Sequence, residues 1–409
     1  MAVLKPFRAV RPAPGLAPRV AAPPYDVVDV DEARALAEGN DLSFLHVSRP
    51  EIDLPAAVDP HAPEVYEQGR VALTALLERG VLVPDDAARY LVYRQQLGRT
   101  VQTGIVAVAS VAEYDDGTIA THEHTRRDKE DDRVAHIDAL GAHDEPVFLM
   151  FREDTTAASV VARVVAETLL GDPLEDFTTP DGVHHCLWAV ATGADTETLQ
   201  TAFGAVGRLY VADGHHRSAA ASRVAALRGG AGESGQFLAV TFPAGDLNVL
   251  PYNRVVADLA GHTPEAFLAA LGETFVLTPE GSAVAPTTPH TVGVLVDGQW
   301  YRAVVREGLV DESDPIARLD ISVLQDRVLA PVLGIADPRT DGRISFVGGS
   351  RGTAELERLV ASGRFAVAFS MCATTTTDVM DVADRGEVMP PKSTWFEPKL
   401  ASGLFLHLM

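Results

Sequence analysis

Arg208-Leu209-Tyr210-Val211-Ala212-Asp213-Gly214-His215-His216-Arg217-Ser218-Ala219-Ala220-Ala221 reads as a short apolar strand, a sharp Asp-Gly turn and an alanine-rich helix. Gly214 lets the backbone turn tightly, and the alanines carry helix propensity up to Arg228 before the Gly229-Gly230 stop. A strand-to-helix junction of this kind makes an anion site. The first helical turn has unpaired N–H groups and the positive end of the macrodipole, here joined by His215, His216 and Arg217. Asp-Gly is also a common turn, and His-His-Arg could be a solvated first turn. Basic side chains at a helix start, however, oppose the macrodipole by a few tenths of a kcal/mol each unless an anion sits among them. Phosphate is the expected guest, and Asp213 could hold Mg²⁺ or accept a proton.

Composition limits the partners. The 409 residues, 46% of them hydrophobic, are enough for two or three domains with filled cores. Against 34 basic side chains stand 57 acidic ones, a net charge of −23, so a nucleic acid or an anionic membrane surface would be repelled. Cys186 and Cys372 are far apart with no Cys-x-x-Cys pair, which fits a reducing cytosol and excludes a disulfide framework or thiolate zinc site. The proline-rich opening lacks a signal-peptide core, and no run approaches the roughly 18 apolar residues needed to span a bilayer. A cytoplasmic location is expected.

Prolines at 6, 12, 14, 18, 23 and 24 impose extended backbone up to about residue 30, with Pro23-Pro24-Tyr25-Asp26 as a rigid loop. Helices are expected at 31–39 and 63–79. From Arg89 the pattern becomes β, at 90–93 and 103–111, and Asp115-Asp116-Gly117 signals a hairpin with Thr118–Thr125 returning as a strand. On such a strand His122 and His124 would share one face and Glu123 the other. Three readings of this cluster stay open: a solvated strand end, a His-x-His metal site, or Glu123 as a catalytic base supported by nearby Arg and His groups.

Residues 141–205 read as an αβ insertion, with strands at 146–151 and near 186–190 and helices near 156–170 and 195–203. Beyond Gln236–Phe242 a new domain is expected from about 258, with a helix at 264–271, a hairpin around Asp297-Gly298 and a helix at 320–333. Gly348-Gly349-Ser350-Arg351-Gly352 is a second glycine-rich strand-to-helix turn. The segment Pro390-Pro391-Lys392-Ser393-Thr394-Trp395 is a stiff extended loop. The expected division is 1–88, a proline-rich and helical region; 89–257, a core; and 258–409, an α/β domain completing the site.

Three segments together resemble a known family: Asp213-Gly214-His215-His216-Arg217, the His122-Glu123 pair, and Gly386-Glu387-Val388 with Pro391-Lys392-Ser393-Thr394. They are similar to motifs of the nucleotide-dependent free L-serine kinase of the ParB/sulfiredoxin superfamily. Over nearly its full length the chain resembles an uncharacterised bacterial family related to that kinase, through Pro23-Pro24-Tyr25-Asp26-Val27-Val28, His122-Glu123-His124-Thr125 and the closing Lys392-Ser393-Thr394-Trp395-Phe396. This chain is longer than the kinase, with an added N-terminal region and a wider separation between Glu123 and Asp213.

The resemblance implies an α+β fold with a ParB/sulfiredoxin-like nucleotide domain and additional mixed α/β regions at both ends. It implies a phosphotransferase moving a phosphoryl group from ATP or ADP, with Mg²⁺, to the hydroxyl of serine or a similar small metabolite. Glu123 would be the general base, with Asp213 and His216 also catalytic. Gly214, His215, His216, Arg217, Ser218 and Lys392 would hold the nucleotide; His122, His124, Arg126, Ser393, Thr394 and Trp395 the acceptor; Asp213 and Glu123 the metal. The residue chemistry agrees, because phosphoryl transfer asks for positioning, positive charge around the phosphoryl oxygens and one group to activate the nucleophile. Two other classes are carried: a nucleotide-binding switch without an acceptor, and a metal-dependent hydrolase using His122, His124 and Asp128.

Overall fold

In the computed structural model, which describes residues 3–153, 155–230 and 232–409, the β-patterned runs after Arg89 become adjacent strands of a mixed sheet. Among the described residues nine strands form it: β1 (Leu4–Lys5), β2 (Leu91–Leu97), β3 (Thr100–Ser110), β4 (Ile119–Ala120), β5 (Val147–Phe151), β6 (Glu175–Thr178), β7 (His184–Ala189), β8 (Leu209–Asp213) and β9 (Gln236–Pro243). Their order is β4-β8-β5-β9-β3-β2-β7-β6, with β1 on β3. β4 with β8 and β5 with β9 are parallel, and the other pairs are antiparallel.

The side-chain period of two sorts the two faces. Ile105, Ala107 and Ala109 of β3, Val147, Leu149 and Phe151 of β5 and Val211 of β8 share one core with the helices α3 and α4 described next. Helices in this part of the chain are α1 (Pro63–Glu78), α2 (Arg127–Leu140), α3 (Thr156–Thr168), α4 (Ala194–Val206) and α5 (His215–Leu227). Val161 and Val164 of α3 and Leu199 and Phe203 of α4 fill that core. The opposite face carries Phe148 and Phe242, with ring centroids 4.6 Å apart. Gly104 lies under Phe242 so closely that a Cβ there would come within 2.8 Å of the ring.

Contacts gather the chain into two units. One runs to Asn248 and takes in Pro398–Met409; the other is Val249–Glu397. Residues 1–88 do build their own core, around Phe44, Leu73 and Leu76, but Leu140, Ala142 and Leu406 close it, so this region does not stand apart. The segment 141–205 is not an insertion either. Its strand β5 lies in the middle of the sheet, between β8 and β9, because Val147–Phe151 is buried at every position. The expected hairpin at Asp115–Gly117 also does not form. Val111–Asp115 winds into a short helix that takes the chain off β3, and only Ile119–Ala120 extends, parallel to Leu209–Tyr210.

The second unit begins at Val249, ahead of the expected boundary at 258. Its strands β10 (Tyr252–Val256), β11 (Phe275–Glu280), β12 (Thr291–Val296), β13 (Gln299–Val305), β14 (Ile344–Gly348) and β15 (Val367–Ser370) form an antiparallel sheet in the order β11-β13-β12-β15-β10-β14. Val255, Leu295, Trp300, Leu356 and Ala368 make its core. The expected helix at 320–333 is shorter: Asp320–Leu324 is α-helical and Gln325–Leu329 widens into a π-turn. The chain is thus a mixed α/β protein of the α+β kind. Among the described residues no helix is long and apolar enough to cross a membrane.

Burial also fixes several histidines in the neutral form. His185 is stacked between Tyr93 and Phe177, receives the Tyr93 hydroxyl at 2.7 Å, and is pushed by burial down to about 4; His143 is pushed down to about 3. A base with a depressed folded pKa contributes stability that is complete above its unfolded value of 6.5 and is lost as pH falls towards the folded value. Unfolding free energy should therefore drop between about pH 6.5 and 4, and His185→Gln should flatten that slope by up to one proton, measured by urea melts across the range. Gly104→Ala should cost roughly 1–3 kcal/mol through overpacking against Phe242, read from the same melts.

Candidate functional site

The site is built where β8 ends. Asp213 is the last residue of the strand, Gly214 takes the left-handed conformation at φ 90°, and α5 starts at His215. A side chain at position 214 would also meet the Arg217 guanidinium at 3.1 Å, so glycine answers both the turn and the close approach. The first turn of α5 has no acidic residue and no side-chain cap. Its first N–H groups are therefore not answered by a capping side chain.

The side chains divide differently from the sequence expectation. Arg217 is buried and does not face a ligand: it donates to the Pro146 carbonyl and reaches Asp213 Oδ2 at 3.4 Å. Burial opposes its charge, but Asp26, Asp213 and Glu145 outweigh that and raise its pKa. Asp213 also receives Lys399 Nζ at 3.3 Å. Burial pushes the Asp213 carboxyl up, but Lys399 and Arg217 prevail and hold it well below the usual carboxylate range. Both cations meet this carboxylate at Oδ2, and a group held so firmly ionised is a poor proton acceptor. Ser218 is fully buried and its hydroxyl bonds to the His215 and Gly214 carbonyls of its own helix.

His215 turns inward as well. It meets His122 edge to face, with ring centroids 4.4 Å apart, and both rings are buried. Burial lowers His122 to about 4 and, with the neighbouring His122 ring adding to the effect, takes His215 well below its ordinary value. Glu123, next along the chain, is exposed, and one of its carboxylate oxygens lies with ring nitrogens of His122 and His215 inside a 4.8 Å group. His216 is half-buried and its Nε2 accepts the Arg126 backbone N–H at 3.1 Å, which pins the 122–126 loop to the start of α5.

His122 and His124 do not share a face, because the strand stops at Ala120: His122 is buried and His124 exposed. Asp128 is exposed and paired with Arg126 at 2.7 Å. The His122–His124–Asp128 metal set is therefore not assembled.

Lys392, Ser393, Thr394 and Trp395 belong to the second unit. There Lys392 has a left-handed φ of 57°, its ammonium sits 5.3 Å from the Tyr252 ring centre, and its carbonyl accepts from Arg254 at 3.1 Å. Ser393 is buried, bonded through its hydroxyl to Pro390 and through its carbonyl to Thr374. Trp395 packs on Tyr252 and on Gly348, and donates to Glu397 at 2.7 Å. Thr394 is half-buried.

Sequence reasoning passed over a buried charge network beside Arg217. Glu145 accepts the Tyr25 N–H at 2.9 Å and the Ser402 hydroxyl at 2.7 Å, and the Arg133 guanidinium lies 3.9 Å over the Tyr25 ring. Burial, with Asp144 adding, pushes the Glu145 carboxyl up. The available signal was His143-Asp144-Glu145, three polar residues placed directly before a fully apolar strand. Tyr25, Arg49, His61, Lys129 and Arg133 line a recess of about 210 Å³ in the same unit.

Residues 4–322 match the model of a family described as a protein of unknown function (DUF1015), and the chain belongs to that family. No curated protein matches it. Among solved structures, a conserved hypothetical protein from Pyrococcus furiosus is 14% identical with a TM-score of 0.35, over 73% of this chain and 95% of that one. A free serine kinase in complex with AMP is 14% identical with a TM-score of 0.34, over 73% and 92%. SbnI with C-terminal truncation from Staphylococcus aureus is 11% identical with a TM-score of 0.38, over 73% and 85%. The relationship to all three is distant.

Removing Asp213 leaves a buried guanidinium short of its nearest carboxylate. Asp213→Ala should destabilise the protein by about 3 kcal/mol. Lys399→Met leaves the Asp213–Arg217 pair in place and should cost less than Asp213→Ala. Equal losses in chemical denaturation would show that Asp213 does not serve Arg217.

Proposed function

We propose that the first unit contains a nucleotide-binding core of the ParB/sulfiredoxin type, and that the protein transfers a phosphoryl group from ATP or ADP to the hydroxyl of free serine or a similar small metabolite. The supporting observation is the placement of Glu123: an exposed carboxylate within 4.8 Å of two buried imidazoles, beside the uncapped start of α5. The helix N–H groups take phosphate oxygens, and Glu123 accepts the proton of the attacking hydroxyl. His216 holds the Glu123 loop against the helix through the Arg126 amide. Arg217 and Asp213 act one step back, fixing the turn.

Mg²⁺ carried on the nucleotide would supply charge neutralisation in phosphoryl transfer, with Asp213 and Glu123 as the carboxylates offered for it. Lys392, Ser393, Thr394 and Trp395 keep their roles towards phosphate and acceptor on the strength of the sequence resemblance alone.

The test incubates the full chain with Mg²⁺, labelled ATP or ADP and a metabolite mixture, followed by mass spectrometry. One new phosphorylated small molecule is the expected result, and Glu123→Gln should lower its rate by roughly 10²–10⁴-fold while nucleotide affinity stays unchanged. No phosphorylated product with any acceptor, or undiminished turnover in Glu123→Gln, would overturn the reading.

A further inference from the structure

The His122–Glu123–His215 group carries a second possibility that general-base chemistry does not use. The two rings are in edge-to-face contact, and their nitrogens and the Glu123 oxygen lie within 4.8 Å of one another. His122 and His215 are 2% and 4% exposed, so both rings lie out of reach of bulk water. His122 Nδ1 is buried and makes no hydrogen bond among the described residues, a state that is unfavourable when nothing answers it. The approach of the His122 amide to His215 Nε2 is long, at 3.5 Å, and leaves that nitrogen only weakly engaged.

What would answer these atoms is a cation. An anion would meet the Glu123 carboxylate, and a hydrogen-bond donor would satisfy one nitrogen while leaving the carboxylate aside. Two imidazole nitrogens and one carboxylate oxygen are a donor set taken by zinc and its first-row neighbours, whereas magnesium prefers oxygen ligands and retained waters. Donors around a tetrahedral zinc ion stand roughly 3.4 Å apart at metal–ligand distances near 2.0–2.1 Å. The two rings already touch. The Glu123 oxygen is the third donor within the same 4.8 Å group.

We propose that His122, Glu123 and His215 form a binding site for a divalent transition-metal ion of the zinc class, and that an ion there withholds Glu123 from phosphoryl transfer. Binding stands on the geometry alone, while its inhibitory effect rests on the base role proposed above for Glu123. The ion takes the oxygen lone pairs that would accept the hydroxyl proton, so a bound metal and an active base exclude each other at this carboxylate.

A second group, Asp176, His184 and Cys186 on the adjacent strands β6 and β7, must be silenced first, because it also offers three donors. The experiment therefore uses the full-length Cys186→Ser protein without a histidine tag, stripped with chelator and free of nucleotide. It is titrated with Zn²⁺ against a chromophoric chelator and, separately, with Co²⁺. The expected result is one Zn²⁺ per chain undisturbed by excess Mg²⁺, a tetrahedral Co²⁺ absorption band, and binding weaker by about tenfold or more in both Glu123→Gln and His215→Ala. Absence of a bound ion, or affinity unchanged in Glu123→Gln, would overturn the site. Glu123 is exposed, so that variant decides the matter even where His215→Ala fails to fold. Phosphoryl transfer should fall in step with Zn²⁺ occupancy, and undiminished turnover at full occupancy would overturn the inhibitory effect. Metal binding is counted without nucleotide or acceptor, so its failure is distinct from a failure to find kinase activity.

Discussion

A guanidinium placed out of water must be balanced where it lies, and Arg217 sets that requirement for the whole first unit. It is 6% exposed. Desolvating such an ion costs several kcal/mol unless counter-charges and carbonyls surround it. Asp213 comes from the end of β8, the Pro146 carbonyl from the start of β5, and Glu145 adds charge while holding the Tyr25 amide. One cation thus fixes two adjacent strands, the turn into α5 and, through Glu145, the Pro23–Asp26 loop. Gly214 is part of the same arrangement, since the guanidinium packs where its side chain would be.

This requirement decides which basic groups remain for a ligand. A sequence reading counts His215, His216 and Arg217 as three equivalent phosphate contacts. The fold turns Arg217 into the unit's interior and His215 onto His122, and leaves His216 at the surface pinning a loop. An anion bound at this turn would be held by the helix N–H groups more than by side-chain charge. The net charge of −23 does not oppose this, because at physiological salt fields from exposed groups are screened beyond about 8 Å.

Local patterns were legible where one chemistry dominated. The strand at 209–213, the αL glycine, the α5 helix, the capped helices and the hairpin at Asp297-Gly298 all follow from residues close in sequence. Long-range pairing was not. Val147–Phe151 is equally apolar in an insertion or in a sheet centre, and its place was set by β9 and β8, which lie some sixty to ninety residues further along the chain. The hairpin signal at Asp115–Gly117 lost to a one-turn helix because Thr118–Ala120 found its partner in β8. The Asp144–Glu145 network was hidden for a similar reason: its counter-charges, Arg133 and Arg217, and its hydrogen-bond donors, Tyr25 and Ser402, are distant in sequence.

The chemistry open to Glu123 follows from where β4 stops. Were the strand to continue through Thr125, residues 122 and 124 would face one way and 123 the other, and two histidines would stand together at the surface. It ends at Ala120, and the released chain turns His122 inward to cover His215. Burial disfavours the charged form of both rings, and Glu123 is carried outward beside them. Two neutral imidazoles contribute no positive charge to lower the pull of that carboxylate on a proton. They contribute lone pairs, which draw a metal ion instead. In the functions proposed above, proton transfer and metal binding would compete for one carboxylate, and the two-residue length of β4 is what would bring them to the same place.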